Sequence, residues 1–286
     1  MKISGFTFVK NGVILGYPFL ESILSILPIC DEFIVNVGVS EDDTRERIRS
    51  IGSEKIRIIE SAWNAQMRVK GYTYGQQKMI AQFNCTGDWA FYLEADEVVH
   101  EADLPGIAEA MERHLADERV EALVFDYLHF YGNAATYAWS PRWYRTAPRI
   151  IRNTIRTFCP DALFWAVMKK NKKARYPRAA HTGATIYHYG WVRSESQMNL
   201  KSRQVQQYWN KSHQVIDYSD IDQFILKEFR GSHPQAVASW LPPSNGVFLA
   251  NPDRRLTGRD RRDRLRLRFE KWFGVDLSKK HHKLLR

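Results

Sequence analysis

The chain has 286 residues, of which 44% are hydrophobic and 26% charged, with a formal net charge of +10. That composition is globular and excludes wholesale disorder, and the length suits one large domain or two small ones. The longest apolar stretch, 13–30, is broken by Glu21, Pro18 and Pro28. It falls short of the roughly 18 uninterrupted residues of a membrane span and lacks a signal-peptide cleavage site, so a cytoplasmic protein is expected.

In chain order, Ile3–Val9 is an apolar, β-rich run, and the spacing of Phe19, Leu20, Ile23, Leu24, Ile26 and Leu27 suits a helix over 18–27 with Pro18 in its first turn. Phe33–Val37 reads as a buried strand. Ser40 and Asp43 then open a helix to about Ser50 in the manner of a capping box. Ile56–Ile59 and Trp89–Leu93 are expected strands, with a helix over Tyr74–Phe83 between them. Asp103 and Pro105 start a helix to about Ala116. Further strands are expected over Val120–Tyr131, Ile150–Ile155 and Ala184–Tyr189, a capped helix from Ser194 to about Trp209, and a helix over Asp220–Phe229.

The alternation of strands and helices in the first half predicts an α/β fold: a mostly parallel central sheet flanked by helices, with C-terminal helical additions. Such sheets bind ligands outside the carboxyl ends of their strands. The residues at those ends are Lys10 and Asn11, Gly38–Asp43, and Glu94–Glu97. One domain over 1–253 and a basic tail over 254–286 are expected. The tail holds 13 Lys+Arg against 4 Asp+Glu, or +9 of the +10. Cys30, Cys85 and Cys159 are odd in number and dispersed, so buried thiols are expected rather than disulfides or a cysteine zinc site.

Trp89-Ala90-Phe91-Tyr92-Leu93-Glu94-Ala95-Asp96-Glu97 runs from an apolar strand straight into three carboxylates. In extended backbone Glu94 and Asp96 point to one side, where they repel unless a cation lies between them. Mg²⁺ or Mn²⁺ takes such oxygen ligands and completes its shell with substrate phosphates.

Phe6–Asn11, the Gly38–Thr44 loop, Gly87-Asp88-Trp89 and Tyr92–Glu97 occur in the order and spacing of the family 2 glycosyltransferases. The chain resembles that family over about residues 3–100, and more loosely at His188-Tyr189-Gly190-Trp191. The resemblance implies the nucleotide-diphospho-sugar transferase fold called GT-A, with 1–100 as nucleotide-binding half and 101–253 as acceptor half. It implies that Phe8, Lys10 and Asn11, with Asp42 or Asp43, hold the nucleoside. Glu94-Ala95-Asp96 stands where the family carries Asp-x-Asp, which holds the metal and the sugar-nucleotide diphosphate; Glu94 departs from that pattern. Gln77 lies where the family places an Arg-Asn pair near the donor, and His188 is implied as an additional metal ligand, with His181 as competitor. The activity implied is inverting transfer of a sugar to a glycan or lipid-linked acceptor of the bacterial cell-surface type.

Inversion needs a base on the acceptor side. Asp161, flanked by Pro160 and by Phe164 and Trp165, is the candidate, and Asp126 the alternative. Trp139, Arg142, Trp143 and Trp191 suit an acceptor, since flat aromatic faces stack on sugar rings and an arginine can meet an acidic group. In the tail, Leu265, Phe269, Trp272 and Phe273 share one helical face among arginines, a pattern that fits an anionic membrane surface reached from the cytoplasm. A packed amphipathic helix and solubility charge fit it as well. A nucleic-acid role through this tail has no helix-turn-helix, zinc-finger or RNA-binding signature behind it, and a nucleotidyltransferase of similar fold would carry a richer glycine loop after the first strand.

Overall fold

The computed structural model describes every residue except Lys172, Ser244, Asn245 and Arg286. The first half follows the predicted order: β1 (Ile3–Val9), α1 (Phe19–Ile26), β2 (Glu32–Gly38), α2 (Thr44–Arg49), β3 (Ile56–Ser61), α3 (Tyr72–Phe83) and β4 (Trp89–Tyr92). β1 and β2 are buried on both faces, β1 pairing in parallel with β2 and β4, and β2 with the edge strand β3. α1 buries Phe19, Ile23 and Ile26 against one face of this sheet, in the same core as Val35, Phe91 and Ile107.

After β4 the chain turns into β5 (Glu97–Val99) and α4 (Leu104–Leu115), and the sheet becomes mixed. β6 (Ala122–Tyr131), β7 (Asn133–Ala138) and β8 (Thr146–Arg152) extend it antiparallel, with β8 joining β4 to β6. A small sheet of β9 (Thr157–Phe158), β10 (Ala166–Met168) and β11 (Ala174–Arg175) lies beside Trp165, which packs in one core with Tyr92 and Ala81. β12 (Arg178–Trp191) runs parallel to β6 and antiparallel to β5. Then come α5 (Glu195–Gln206), β13 (Leu226–Glu228), α6 (Gly258–Phe273) and β14 (Lys283–Leu284). The main sheet runs β13-β7-β6-β8-β4-β1-β2-β3, so the α/β class with helices on a central sheet agrees with the sequence pattern.

The differences lie in the second half. Residues 220–229 are not a helix: a 3-10 turn at Gln223–Ile225 leads into β13, whose Leu226 pairs with Ala138 at the edge of β7. Edge pairing satisfies the backbone there in place of helical bonds. The expected strand at 150–155 starts earlier and ends at Arg152, whose guanidinium is held by the carbonyls of His114, Leu115, Asp117 and Val120. The expected strand at 184–189 is the middle of the 14-residue β12. The basic segment is docked on the body: Arg145 pairs with Glu270, Arg142 with Asp263, and β14 joins β12. Cys30, Cys85 and Cys159 are free and buried.

Candidate active site

The chain does not stay extended after β4. Glu97 donates its N–H to the Glu94 carbonyl, and the Glu94 N–H is returned to Glu97 Oε2 at 3.0 Å, so 94–97 is a turn. Glu94 and Asp96 nevertheless both line one cavity of about 190 Å³, with Phe8, Lys10, Tyr17, Trp63, Tyr74 and Lys201. It opens beyond the carboxyl ends of β1 and β4, where an α/β sheet binds its ligands.

Asp96 is the centre of the charge arrangement. Its Oδ2 lies 2.7 Å from Lys201 Nζ and 3.5 Å from Arg193 Nη2, and its Oδ1 lies 3.6 Å from His188 Nε2. Burial would raise this carboxyl, but the charge of Lys201, with His188 and Arg193 beside it, holds it well below the usual range. Burial and the Asp96 charge in turn push the Tyr17 hydroxyl far up.

His188 reaches the site because β12 pairs it with Glu97 on one side and His129 on the other. His129 Nε2 is 2.7 Å from the Tyr144 carbonyl, which only accepts, so that nitrogen carries the proton. Burial, reinforced by the neighbouring His188, keeps His129 neutral, its pKa well below the ordinary value. His129 Nδ1 therefore accepts, and His188 Nδ1, 2.9 Å away, donates. The other ring nitrogen of His188, Nε2, is turned to Asp96. A carboxylate oxygen and an imidazole nitrogen 3.6 Å apart are ligand types that a divalent ion takes. Gly190 keeps this gap clear, since a Cβ there would collide with His188 Nε2 and crowd Asp96. Among the described residues no three His, Cys, Asp or Glu side chains form a ready-made metal cluster, so the protein itself offers two ligands.

Glu94 sits differently from its expected place on the ion. Its Oε1 is 3.1 Å from Arg149 Nη2, and burial together with the Glu97 charge pushes its pKa up to about 7. Arg149 is fully buried and grips Glu97 through two bonds, Nε to Oε2 at 2.7 Å and Nη2 to Oε1 at 2.6 Å. Glu97 also accepts from the Tyr127 hydroxyl at 3.0 Å.

Phe8, Trp63, Tyr74 and Trp209 wall the cavity in edge-to-face and tilted contacts, with Trp63 5.1 Å from Tyr74 and Tyr74 5.2 Å from Trp209. Such a slot accepts a flat base or a sugar ring. Trp63 Nε1, the Tyr92 hydroxyl and two nitrogens of Arg193 are buried without a hydrogen-bond partner among the described residues. Buried donors of this kind mark a site that takes an acceptor from outside the chain.

The other predicted donor residues are bound up in the scaffold. Asn11, at φ 53°, accepts from the Glu41 N–H, and Asp42 takes the N–H groups of Val13 and Ile14 and pairs with Thr44. Asp43 faces solvent with Arg47. Gln77 is buried and locked to Asn36 at 2.9 Å and to Ser61. Asp161 accepts from the Leu163 N–H at 2.8 Å, one residue before Ala162 at the cavity wall. Asp126 is exposed beside His181, 3.2 Å away.

Of the residues expected to meet an acceptor, Arg142, Trp143 and Trp191 line a second cavity of about 350 Å³ with Tyr131. Trp143 stands 5.2 Å from the His129 ring, so this cavity adjoins the histidine pair. Trp139 lies outside it, under the guanidinium of Arg145 at 4.3 Å.

Arg149, His129, Arg193 and Lys201 are the residues that sequence reasoning missed. Arg193 carried a signal, since it follows His188-Tyr189-Gly190-Trp191 and precedes the Ser194 cap. His129 sits alone on an apolar strand, and Lys201 on an ordinary polar helix face.

No protein-family model matches the sequence, and no curated protein is significantly similar to it. Among solved structures, the chain is similar to TarS of S. aureus, residues 1–349, at 16% identity and a TM-score of 0.38, covering 54% of this chain and 47% of that one. It is also similar to glucosyl-3-phosphoglycerate synthase of Mycobacterium tuberculosis, solved with Mn²⁺, UDP-glucose and phosphoglyceric acid, at 22% identity and a TM-score of 0.34, covering 44% of each chain. The chain thus spans about half the length of the structures it matches.

Proposed function

We propose that the chain is a GT-A glycosyltransferase, resembling family 2, that moves a sugar with inversion from a nucleotide-diphosphate donor to a hydroxyl of a glycan or lipid-linked acceptor. The observation that carries this reading is the Asp96 carboxylate at the mouth of β4, which lines an aromatic-walled cavity and has His188 Nε2 3.6 Å away. In this reading Asp96 and His188 hold Mn²⁺ or Mg²⁺, which neutralises the leaving diphosphate. Phe8, Lys10 and Trp63 take the nucleoside, and Glu94 stays with Arg149 at the edge of the donor. Asp161 takes the acceptor proton, and Trp143, Trp191 and Arg142 face the acceptor.

Thermal-shift measurements with UDP-, GDP-, CMP- and dTDP-sugars, with and without Mn²⁺, test the reading. One nucleotide class should stabilise the chain in a metal-dependent way, and Asp96→Asn should abolish that dependence. Stabilisation that survives unchanged in Asp96→Asn defeats the metal assignment. Asp161→Asn should keep donor binding and lose turnover by about 10²–10⁴, the range that a positioned base supplies.

A peripheral place on an anionic membrane is supported by α6. Its buried side chains are Asp260, Asp263 and Glu270, whereas Leu265, Phe269, Trp272 and Phe273 are exposed, Trp272 at 79%. At 100° per residue, Arg261 and Arg268 border one edge of that apolar stripe and Arg266 the other. Rings at acyl depth and arginines at the headgroups suit an anionic bilayer. Among the described residues no helix is long and apolar enough to cross a membrane. Cosedimentation with phosphatidylglycerol vesicles should exceed that with phosphatidylcholine, and Phe269→Ser with Trp272→Ser should remove it. Equal binding to both vesicles, or none, overturns this placement.

A further inference from the structure

Asp96 already has a resident counter-ion. Lys201 Nζ lies 2.7 Å from Oδ2, and Arg193 Nη2 lies 3.5 Å from the same oxygen. Both cations come from one short segment, Arg193 just after β12 and Lys201 in α5, whose start is fixed by the Ser194–Gln197 capping box. Arg193 is 1% exposed in its side chain and anchored through Nη1 on the Leu15 carbonyl, yet its Nε and Nη2 have no hydrogen-bond partner among the described residues. Buried guanidinium donors without acceptors are costly, so they point to an anion that the chain does not itself supply. The Tyr17 ring, which lines the cavity with Lys201, stands 4.8 Å from the Arg193 guanidinium and 5.0 Å from the Lys201 ammonium. The next carboxylate, Glu94, pairs with Arg149 instead, leaving one carboxylate against two cations.

We propose that Lys201 is a tethered cation that shares Asp96 with the divalent ion, and that Lys201 and Arg193 together form a diphosphate-binding pair. The inference rests on the donor reading above and adds two residues to it. An ammonium on the oxygen that an ion needs repels that ion strongly in a buried cavity. Ion binding therefore displaces Lys201, whose four-carbon stem lets the ammonium swing to the phosphate oxygens, while Arg193 stays fixed on Leu15. Two consequences follow: the ion alone binds weakly, and diphosphate keeps a metal-independent share of its affinity.

The test uses the full chain with two probes: Mn²⁺ followed by electron paramagnetic resonance, and inorganic pyrophosphate followed by calorimetry in EDTA. Lys201→Met should bind Mn²⁺ about tenfold more tightly than the natural chain and pyrophosphate about tenfold more weakly, a coupling of ordinary size between neighbouring sites. Lys201→Arg should restore both values. Lys201→Gln, which keeps a hydrogen-bond donor for Asp96, repeats the measurement if the methionine variant does not melt cooperatively. Unchanged or weaker Mn²⁺ binding in the folded variants overturns the tethered cation, and unchanged pyrophosphate binding overturns the pair. If both shifts occur but no nucleotide sugar stabilises the chain, the donor reading fails and the cation pair stands.

Discussion

Asp96 and Glu97 are neighbours in sequence, both buried and both held by basic side chains, yet they do opposite work. Glu97 is sealed: Arg149 meets both its oxygens, Tyr127 adds a third bond, and the pair is fully buried. Asp96 faces two cations and the His188 ring, with Arg193 donors left over. A buried ion pair with every hydrogen bond made is scaffold. One with unmet donors and acceptors is a receptor for charge that comes from outside. Full burial alone does not separate the two; satisfaction of the polar atoms does.

The contrast can be broken from the sealed side first. Glu97→Gln removes the bidentate partner of buried Arg149 and leaves it a single carboxylate contact, to Glu94, which should cost about 3–5 kcal/mol of stability in urea unfolding, with or without ligands present. A loss below about 1 kcal/mol, the scale of a surface pair, would mean that Glu97 is not sealed. On the open side, His129→Phe removes the acceptor that orients His188. It should weaken Mn²⁺ binding by about 10–100-fold while leaving the melting curve cooperative. Unchanged Mn²⁺ affinity would detach His188 from the ion.

Lys78 sharpens the same distinction through pH. Its ammonium is fully buried, donates to the Ala162 carbonyl at 2.9 Å, and lies 3.5 Å from the Trp165 ring centre. Burial pushes its pKa down to about 8. Between there and the ordinary lysine value of about 10.4 the unfolded chain holds a proton that the folded chain has released. Stability should therefore rise with pH across this window, by at most about 1.4 kcal/mol per pH unit, and the stabilisation is lost as pH falls back through the folded value. Lys78→Met should flatten that slope in urea titrations at successive pH values; a slope that persists assigns it to another group. The mildest case is the α6 cap, where Thr257 and Asp260 exchange hydrogen bonds. Thr257→Ala should lower stability by about 1 kcal/mol and leave nucleotide binding as it was.

Much of the fold was legible because its first half obeys local rules. Apolar runs of strand length alternate with amphipathic stretches, and caps such as Ser194–Gln197 lie where the spacing puts them. The carboxylates after β4 were equally visible, since they end an apolar strand abruptly. Residues 220–229 were not legible, because the strand there exists only through the edge of β7. Nor was the direction of α6, whose apolar face points outward because Arg142 and Arg145 of the body take up its acids Asp263 and Glu270 while its own Arg264 pairs with Asp222.

The sequence by itself determined the α/β alternation, the cluster of carboxylates directly after a central strand and the basic character of the last segment. These depend on patterns within about ten residues, which hydrophobic periodicity and capping encode directly. Only the tertiary structure decided which charges meet: that Asp96 faces Lys201, Arg193 and His188 while Glu97 is closed by Arg149. Residues 52 to 105 positions apart make these contacts. Electrostatic partnership depends on distance through space and on burial, neither of which is written in the spacing along the chain.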